Sequence, residues 1–188
     1  MDKMNDIVSH FAIEDRISEI IPLGSGLIND TFRVKNAEPG KPDYVLQKIN
    51  HAIFQDVDRL QSNIQAVTKH IRKKLEEKGE DDIDRKVLTF LPNKDDGKYY
   101  YFDGENYWRI MTFIPDAITY EIVNPEYSYY AGVAFGNFQS MLADIPVELG
   151  DTIPDFHNME FRLSQLREAV ANNASGRMAD VQYYVDDL

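Results

Sequence analysis

The stretch LGSGLINDTFRV at residues 23–34 decides the fold. The apolar run at residues 17–23 predicts a strand, and residues 31–34 predict its antiparallel return strand. Between them Gly24 and Gly26 indicate a tight turn, because glycine adopts backbone conformations that other residues avoid. The stretch therefore predicts a β-hairpin whose turn lets the backbone approach an anion closely, with a bare hairpin turn as the alternative.

The spacing of apolar residues next changes from strand-like to helical and back. Residues 44–49 predict a third strand. A long helix is predicted after Asp56 and ends at Gly79, with apolar residues Val57, Leu60, Ile64, Val67, Ile71 and Leu75 at helical spacing. Further strands, joined by turns that contain glycine, are predicted at residues 87–91, 98–102 and 107–114.

Beyond Pro115 the spacing indicates helices only. The pair Asn124-Pro125 is typical of a helix start. A buried stripe is predicted on this helix, formed by Tyr130, Ala134, Phe135, Phe138, Met141 and Leu142. Two more amphipathic helices are predicted at residues 161–171 and 178–188. We therefore expect an α+β fold with a strand-rich part at residues 1–110, a connection at residues 111–115 and a helical part at residues 116–188.

The composition excludes several classes of protein. The formal net charge is −12, which argues against a nucleic-acid partner because phosphate contacts require clustered Lys and Arg. The sequence has no cysteine, so disulfides, thiolate zinc sites and cysteine nucleophiles are excluded. No apolar run approaches the roughly 20 residues of a membrane span, and the first ten residues do not resemble a signal peptide. We expect a cytoplasmic protein that binds no membrane.

A lysine on the third predicted strand changes the interpretation of the glycine turn. Lys48 is flanked by Val45, Leu46 and Ile49 and follows the turn at the place where a kinase lysine reaches nucleotide phosphates. The alternative is a solvent-facing lysine on an edge strand, because Leu46 and Lys48 share a face of the strand. The turn and the lysine together favour a phosphate ligand.

Blocks of sequence along nearly the whole chain carry a family resemblance. They lie at residues 26–32, 45–50, 107–114, 131–139, 142–144 and 153–157. In this order they resemble the aminoglycoside phosphotransferase and choline kinase superfamily, and within it the bacterial N-acetylhexosamine 1-kinase branch. The resemblance implies a protein kinase-like fold, with an antiparallel-sheet N-lobe that holds one long helix, followed by an incomplete helical C-lobe.

The resemblance also implies roles for individual residues. It implies a loop over the ATP phosphates, a lysine that contacts them and a hinge backbone that hydrogen-bonds adenine. The residues concerned are Gly24, Ser25, Gly26, Asn29, Asp30, Thr31, Lys48, Met111, Phe113 and Ile114. Mg²⁺ is implied as a second cofactor and an amino sugar as the acceptor. Where the family has a helix glutamate that pairs with the lysine, this sequence has Ser62-Asn63-Ile64.

The family's catalytic loop, His-x-Asp with a downstream Asn, has no counterpart in the sequence, since none of the four histidines is followed by x-Asp. We therefore assign no catalytic residue and no metal ligand. We expect the N-terminal portion of an ATP-dependent N-acetylhexosamine kinase, inactive by itself. The alternative is a non-catalytic, truncated kinase-like module that binds a nucleotide or a protein.

The incomplete helical lobe also predicts an uncovered apolar face and homo-oligomers that form through it. The residues expected on this face are Phe135, Phe138, Val181 and Val185.

Overall fold

A computed structural model describes residues 3–24, 26–120 and 122–186. Within these residues the fold is α+β, with a five-stranded antiparallel sheet and several helices. The chain divides into two compact units, Met1–Thr152 and Ile153–Leu188. The elements are α1 (Lys3–Ser9), β1 (Ile17–Pro22), β2 (Asp30–Asn36), β3 (Tyr44–Ile49), α2 (Val57–Glu77), α3 (Ile83–Lys86), β4 (Tyr101–Phe102), β5 (Tyr107–Thr112), α4 (Pro125–Leu142), α5 (Met159–Asn172) and α6 (Met178–Asp186).

The sheet belongs to the first unit and has the strand order β1-β2-β3-β5-β4. The hairpin of β1 and β2, the central β3 and the long α2 all lie where the periodicity predicts them. Helix α2 begins at its cap residue Asp56, whose side chain accepts a hydrogen bond from the Arg59 N–H at 2.9 Å. The strands end at Thr112, and the helices α4, α5 and α6 follow, as the change of period near Pro115 predicts.

Successive side chains of each strand point to opposite faces of the sheet. A different helix packs on each face. One face packs against α1 and its C-terminal extension. Its core contains Ile7, Phe11, Leu46, Trp108 and Ile110, of which Phe11, Leu46 and Ile110 are 0% exposed. The opposite face packs against α2, with buried residues Ile49, Val57 and Leu60.

Helix α1 was not expected from the sequence. The first ten residues carry few apolar side chains among charged and polar ones, which gives little periodic signal. Ile7, Val8 and Phe11 are nevertheless buried on the sheet. The segment is therefore part of the sheet domain's core and not a charged tail.

The strands predicted at residues 87–91 and 98–102 are wrong in most of their length. Only Tyr101–Phe102 forms a strand, and Phe90 makes an isolated bridge with Met111. The edge of β5 that faces away from β3 forms hydrogen bonds with both of these segments. Its first residues pair with β4, and its last residues bond to the other segment through Leu91 N–H to Ile110 O, 3.1 Å, and Thr112 N–H to Thr89 O, 2.9 Å. Each segment reaches too little of β5 for a continuous strand.

The buried stripe predicted on α4 is wrong for most of its members. Tyr130, Ala134, Phe135 and Phe138 are exposed, with Phe135 at 71%. Only the last turn packs, where Met141 and Leu142 lie against Ile71, Leu75 and Val87. An apolar helical stripe predicts a buried face, but whether a partner element covers that face is decided by the tertiary structure.

The second unit contains α5 and α6, whose bounds differ by at most two residues from those of the helices predicted at residues 161–171 and 178–188. Of the residues expected on an uncovered apolar face, Val181 and Val185 in α6 are half-buried, whereas Phe135 and Phe138 in α4 are exposed. In the part of the chain that the structure describes, no helix has the length and apolar character needed to cross a membrane.

Candidate functional site

The glycine turn connects β1 to β2 at one end of the sheet. Gly24 has φ 72°, the left-handed conformation that favours glycine, and a Cβ on Gly26 would lie 3.1 Å from the Asn29 carbonyl oxygen. The Leu23 N–H donates to the Thr31 carbonyl at 2.8 Å and closes the hairpin. Ser25 lies outside the described residues. The connection is therefore closed at its base by this hydrogen bond, Gly24 has a backbone conformation that favours glycine, and a side chain at Gly26 would have to displace the Asn29 carbonyl slightly.

Two polar residues, one at the end of this turn and one at the start of β2, are held in place by hydrogen bonds to β3 and to the residue that follows it. The Asn29 side chain accepts a hydrogen bond from the Asn50 N–H at 2.9 Å, just after β3. The Thr31 hydroxyl accepts one from the Gln47 side-chain amide at 3.1 Å. The turn is thus tied to the centre of the sheet and does not hang free at its edge.

Lys48 pairs with Asp30, which lies directly opposite it on β2. Both side chains are partly exposed, at 37% and 58%. They line a cleft of about 300 Å³ together with Ile28, Asn50, His51 and Asn106 among others. The structure therefore brings Lys48 next to the glycine turn, as the sequence predicts, but an acidic residue already neutralises it.

Lys48 and Ser62, the residue at which the resemblance places a glutamate partner for the lysine, lie on opposite faces of the sheet. Lys48 is opposite Trp108 in the register of β3 and β5, and so shares the face that α1 covers. Helix α2, which carries Ser62, packs on the other face. The structure does not bring Lys48 and Ser62 together, because neighbouring residues of a strand point to opposite faces.

The residues that the resemblance implies for a hinge lie at the end of β5 and directly after it. Met111 is buried and faces Val45 in the register. The Phe113 N–H donates to the Asp43 carbonyl at 2.8 Å, and its ring lies 4.2 Å from the Arg33 guanidinium carbon. Ile114 is half-buried. The Phe113 N–H is therefore occupied within the sheet.

A cation on the α2-facing side was missed by the sequence analysis. Arg109 on β5 lies directly opposite Gln47 on β3, and its Nε donates to the Gln47 side-chain oxygen at 3.0 Å. Its Nη1 is buried and has no hydrogen-bond partner among the described residues. Burial lowers the pKa of Arg109 to about 10. An arginine inside an otherwise apolar strand, Trp108-Arg109-Ile110-Met111, is the sequence signal that could have found it.

Arg109 and Gln47 line a cavity of about 540 Å³ between α2 and the sheet. Its walls are mostly apolar, with Leu60, Phe90 and Met111 among them. The volume lies in the ordinary range of small-molecule sites, roughly 300–1,000 Å³. The cavity combines apolar walls with a few polar groups, which is the usual composition of a ligand site.

The cavity wall on the α2 side is fixed by a two-way hydrogen-bond pair. The Asn63 side chain donates to the Gly150 carbonyl at 2.6 Å and accepts from the Gly150 N–H at 3.2 Å. This pair anchors the segment that ends at Thr152, which also lines the cavity. Of the triplet Ser62-Asn63-Ile64, Asn63 therefore faces this cavity, whereas Ser62 lines a separate cleft beside Tyr100.

The residues that the structure describes contain no group of three or more His, Asp or Glu side chains that could hold a metal ion. Compared with models of known protein families, the chain matches none.

Proposed function

We propose that this chain is the nucleotide-binding part of an ATP-dependent small-molecule phosphotransferase whose acceptor is an amino sugar. The order of elements around the sheet carries the proposal. A glycine turn joins the first two strands, β3 lies at the centre with β5 beside it, and the long α2 directly follows β3. Protein kinases cover nucleotide phosphates with a Gly-rich loop and pair a β3 lysine with a glutamate of the helix that follows. The turn and the order of strands and helix match this arrangement, whereas the lysine–helix pair does not, because Lys48 lies on the face opposite α2. The match in the turn and in the order of elements supports the proposal.

In this proposal the turn covers the phosphates through its backbone N–H groups. Gly24 and Gly26 permit close approach, and Asn29 and Thr31 hold the turn to β3 through their side chains. The segment at residues 111–114 would lie beside the adenine. The Phe113 N–H donates to Asp43, so adenine would be recognised by other backbone groups of this segment.

Two cations are candidates for the phosphate contact. Lys48 lies beside the turn and is paired with Asp30. Arg109 lies on the other face of the sheet and has a buried Nη1 without a partner among the described residues. A phosphate group on one face of the sheet cannot contact both, so the two candidates make different predictions.

ATP supplies the phosphoryl group in such a reaction, and the protein's contribution is positioning and charge neutralisation. Among the described residues no three His, Asp or Glu side chains are grouped so that they could hold a metal ion by themselves, so these residues identify no Mg²⁺ ligands. We therefore derive no step through Mg²⁺ and assign the described residues to nucleotide binding only. The choice of an N-acetylhexosamine as the acceptor rests on the sequence resemblance.

Isothermal titration calorimetry of the 188-residue chain with ATP tests the proposal. We expect saturable binding of ATP and a rise in melting temperature, because a ligand that binds only the folded state stabilises it. A thermal-shift comparison of N-acetylglucosamine and N-acetylgalactosamine with glucose and galactose tests the acceptor class. A chain that binds no adenine nucleotide would contradict the proposed function.

A further inference from the structure

We infer that Arg109, held by Gln47, forms a binding site for a phosphate-bearing ligand in the cavity between α2 and the sheet. That the ligand is ATP rests on the proposed function; the anion site itself rests on the geometry alone. The site would provide the phosphate contact that the sequence assigned to Lys48.

The first observation is the state of the guanidinium group. A buried charge is costly unless it is paired, and buried arginines are normally paired with carboxylates. Among the described residues Arg109 makes no salt bridge, whereas Arg33 lies 2.6 Å from Asp43 and Arg72 lies 2.7 Å from Asp84. Its one side-chain hydrogen bond is to a neutral amide, Gln47. An anionic group in the cavity would supply the missing charge.

The second observation is the orientation of the guanidinium. Its Nε is used by Gln47, which is itself fixed by its hydrogen bond to Thr31. The Cζ lies 5.7 Å from the centre of the Phe90 ring. These contacts restrain the planar group of Arg109, a residue that lines the cavity; its Nη1 is itself enclosed by protein. Because the fork of donors is already oriented, little conformational entropy is lost when an oxyanion binds.

The third observation is the surroundings of the charge. The cavity of about 540 Å³ is larger than a single carboxylate or phosphate needs, and its walls are mostly apolar. A low-dielectric wall strengthens the attraction between the guanidinium and an anion. The remaining space accommodates an uncharged portion of the ligand against Leu60, Phe90 and Met111. This combination fits a phosphate ester better than a free inorganic ion.

The link from Thr31 to Gln47 to Arg109 connects this site to the glycine turn. Thr31 is the second residue of β2, close to the turn, and its hydroxyl accepts a hydrogen bond from the Gln47 side-chain amide. The link crosses three neighbouring strands of the sheet, β2, β3 and β5. Lys48 is connected to the same end of β2 through its ion pair with Asp30, but it lies on the opposite face of the sheet from this cavity.

Calorimetric titrations with sodium tripolyphosphate, ATP and adenosine test the inference. The variants are Arg109→Gln, Arg109→Lys and Lys48→Ala, with Arg16→Gln, an exposed arginine, as the matched control. Loss of a charge-assisted hydrogen bond should weaken tripolyphosphate and ATP binding at least about tenfold in Arg109→Gln. The affinity of Arg109→Lys for tripolyphosphate and ATP should lie between those of Arg109→Gln and the parent. Arg16→Gln should bind both ligands as the parent does. Adenosine affinity should not change.

The outcomes separate the inference from the proposed function. Equal tripolyphosphate binding by the parent and Arg109→Gln would overturn the inference, and so would a parent that binds none. ATP binding that falls in Lys48→Ala but not in Arg109→Gln would also overturn it, while the proposed function would stand. Tripolyphosphate binding that depends on Arg109, without any ATP binding, would support the anion site and contradict the proposed function. Circular dichroism establishes that each variant is folded, and Arg109→Lys keeps the test valid if Arg109→Gln unfolds.

Discussion

The Asp103 carboxylate and the Trp108 indole N–H form a hydrogen bond of 3.0 Å that joins the β4–β5 turn to the buried face of the sheet. Asp103 also accepts the backbone N–H groups of Glu105 and Asn106, at 2.9 and 2.7 Å. Lys3 of α1 lies 3.3 Å from the same carboxylate. Asp103 therefore connects the turn, the core tryptophan and the N-terminal helix.

These contacts predict a pH dependence of stability. Burial alone would raise the pKa of Asp103, but the hydrogen bonds from Asn106, Glu105 and Trp108 outweigh it and lower the pKa to about 2. The unfolded value is about 3.9. Because the folded pKa is the lower one, the stabilisation is complete above about pH 4–5 and is lost as the pH falls toward 2.

We expect Asp103→Asn to lower the free energy of unfolding at pH 7 by about 1–3 kcal/mol, because hydrogen bonds to a charged acceptor are lost. The difference from the parent should shrink as the pH falls to about 2. Urea denaturation at several pH values measures both effects. Glu105→Gln, an exposed neighbour, is the control. A constant difference across this pH range would show that Asp103 does not titrate as inferred.

The burial of Phe11 predicts that the N-terminal segment is essential for stability. Phe11 is 0% exposed in the core formed with Leu46 and Ile110. Phe11→Ala should lower the free energy of unfolding by about 3–5 kcal/mol, because it removes transfer energy and leaves a cavity. The matched control is Phe135→Ala, since Phe135 is 71% exposed and its loss should cost within about 0.5 kcal/mol. Similar losses in both variants would contradict the assignment of the N-terminal segment around Phe11 to the core.

The glycine turn predicts a specific defect in nucleotide binding. A Cβ at Gly26 would meet the Asn29 carbonyl at 3.1 Å, so Gly26→Val should shift the turn and weaken ATP binding. The control is Gly132→Val, because nothing lies within 4 Å of a Cβ at Gly132. Calorimetry with ATP measures the effect. If Gly26→Val binds ATP as tightly as the parent does, the turn does not contact the nucleotide.

The exposed aromatic residues of α4 predict self-association of this chain. Phe135 and Phe138 are 71% and 43% exposed, and Tyr129 and Tyr130 of the same helix are 69% and 55% exposed. Exposed apolar side chains one helical turn apart, such as Phe135 and Phe138 in α4, favour association. Analytical ultracentrifugation should find a concentration-dependent dimer or larger species. The double variant Phe135→Ser with Phe138→Ser should shift it toward monomer. A parent chain that remains monomeric at all concentrations would contradict this prediction.

Much of the sheet domain is determined by local sequence patterns. Alternation at residues 44–49 and helical spacing after Asp56 predict β3 and α2 because each pattern is repeated within one short segment. The hairpin around Gly24 is equally local, since it depends on the backbone freedom of glycine. The cap at Asn124 with Pro125 correctly predicts the start of α4.

The tertiary structure alone decided which residues meet. Gln47 and Arg109 become neighbours because β5 returns beside β3 after α2, and no local pattern contains that pairing. The same register places Lys48 on the face opposite α2, although its charge made it the more conspicuous residue in the sequence. Ile7 and Phe11 gain their stabilising role only from the sheet face that they cover, and Phe135 stays exposed because no described element packs on it. Local periodicity determines secondary structure, whereas burial and charge pairing depend on contacts between segments distant in the chain.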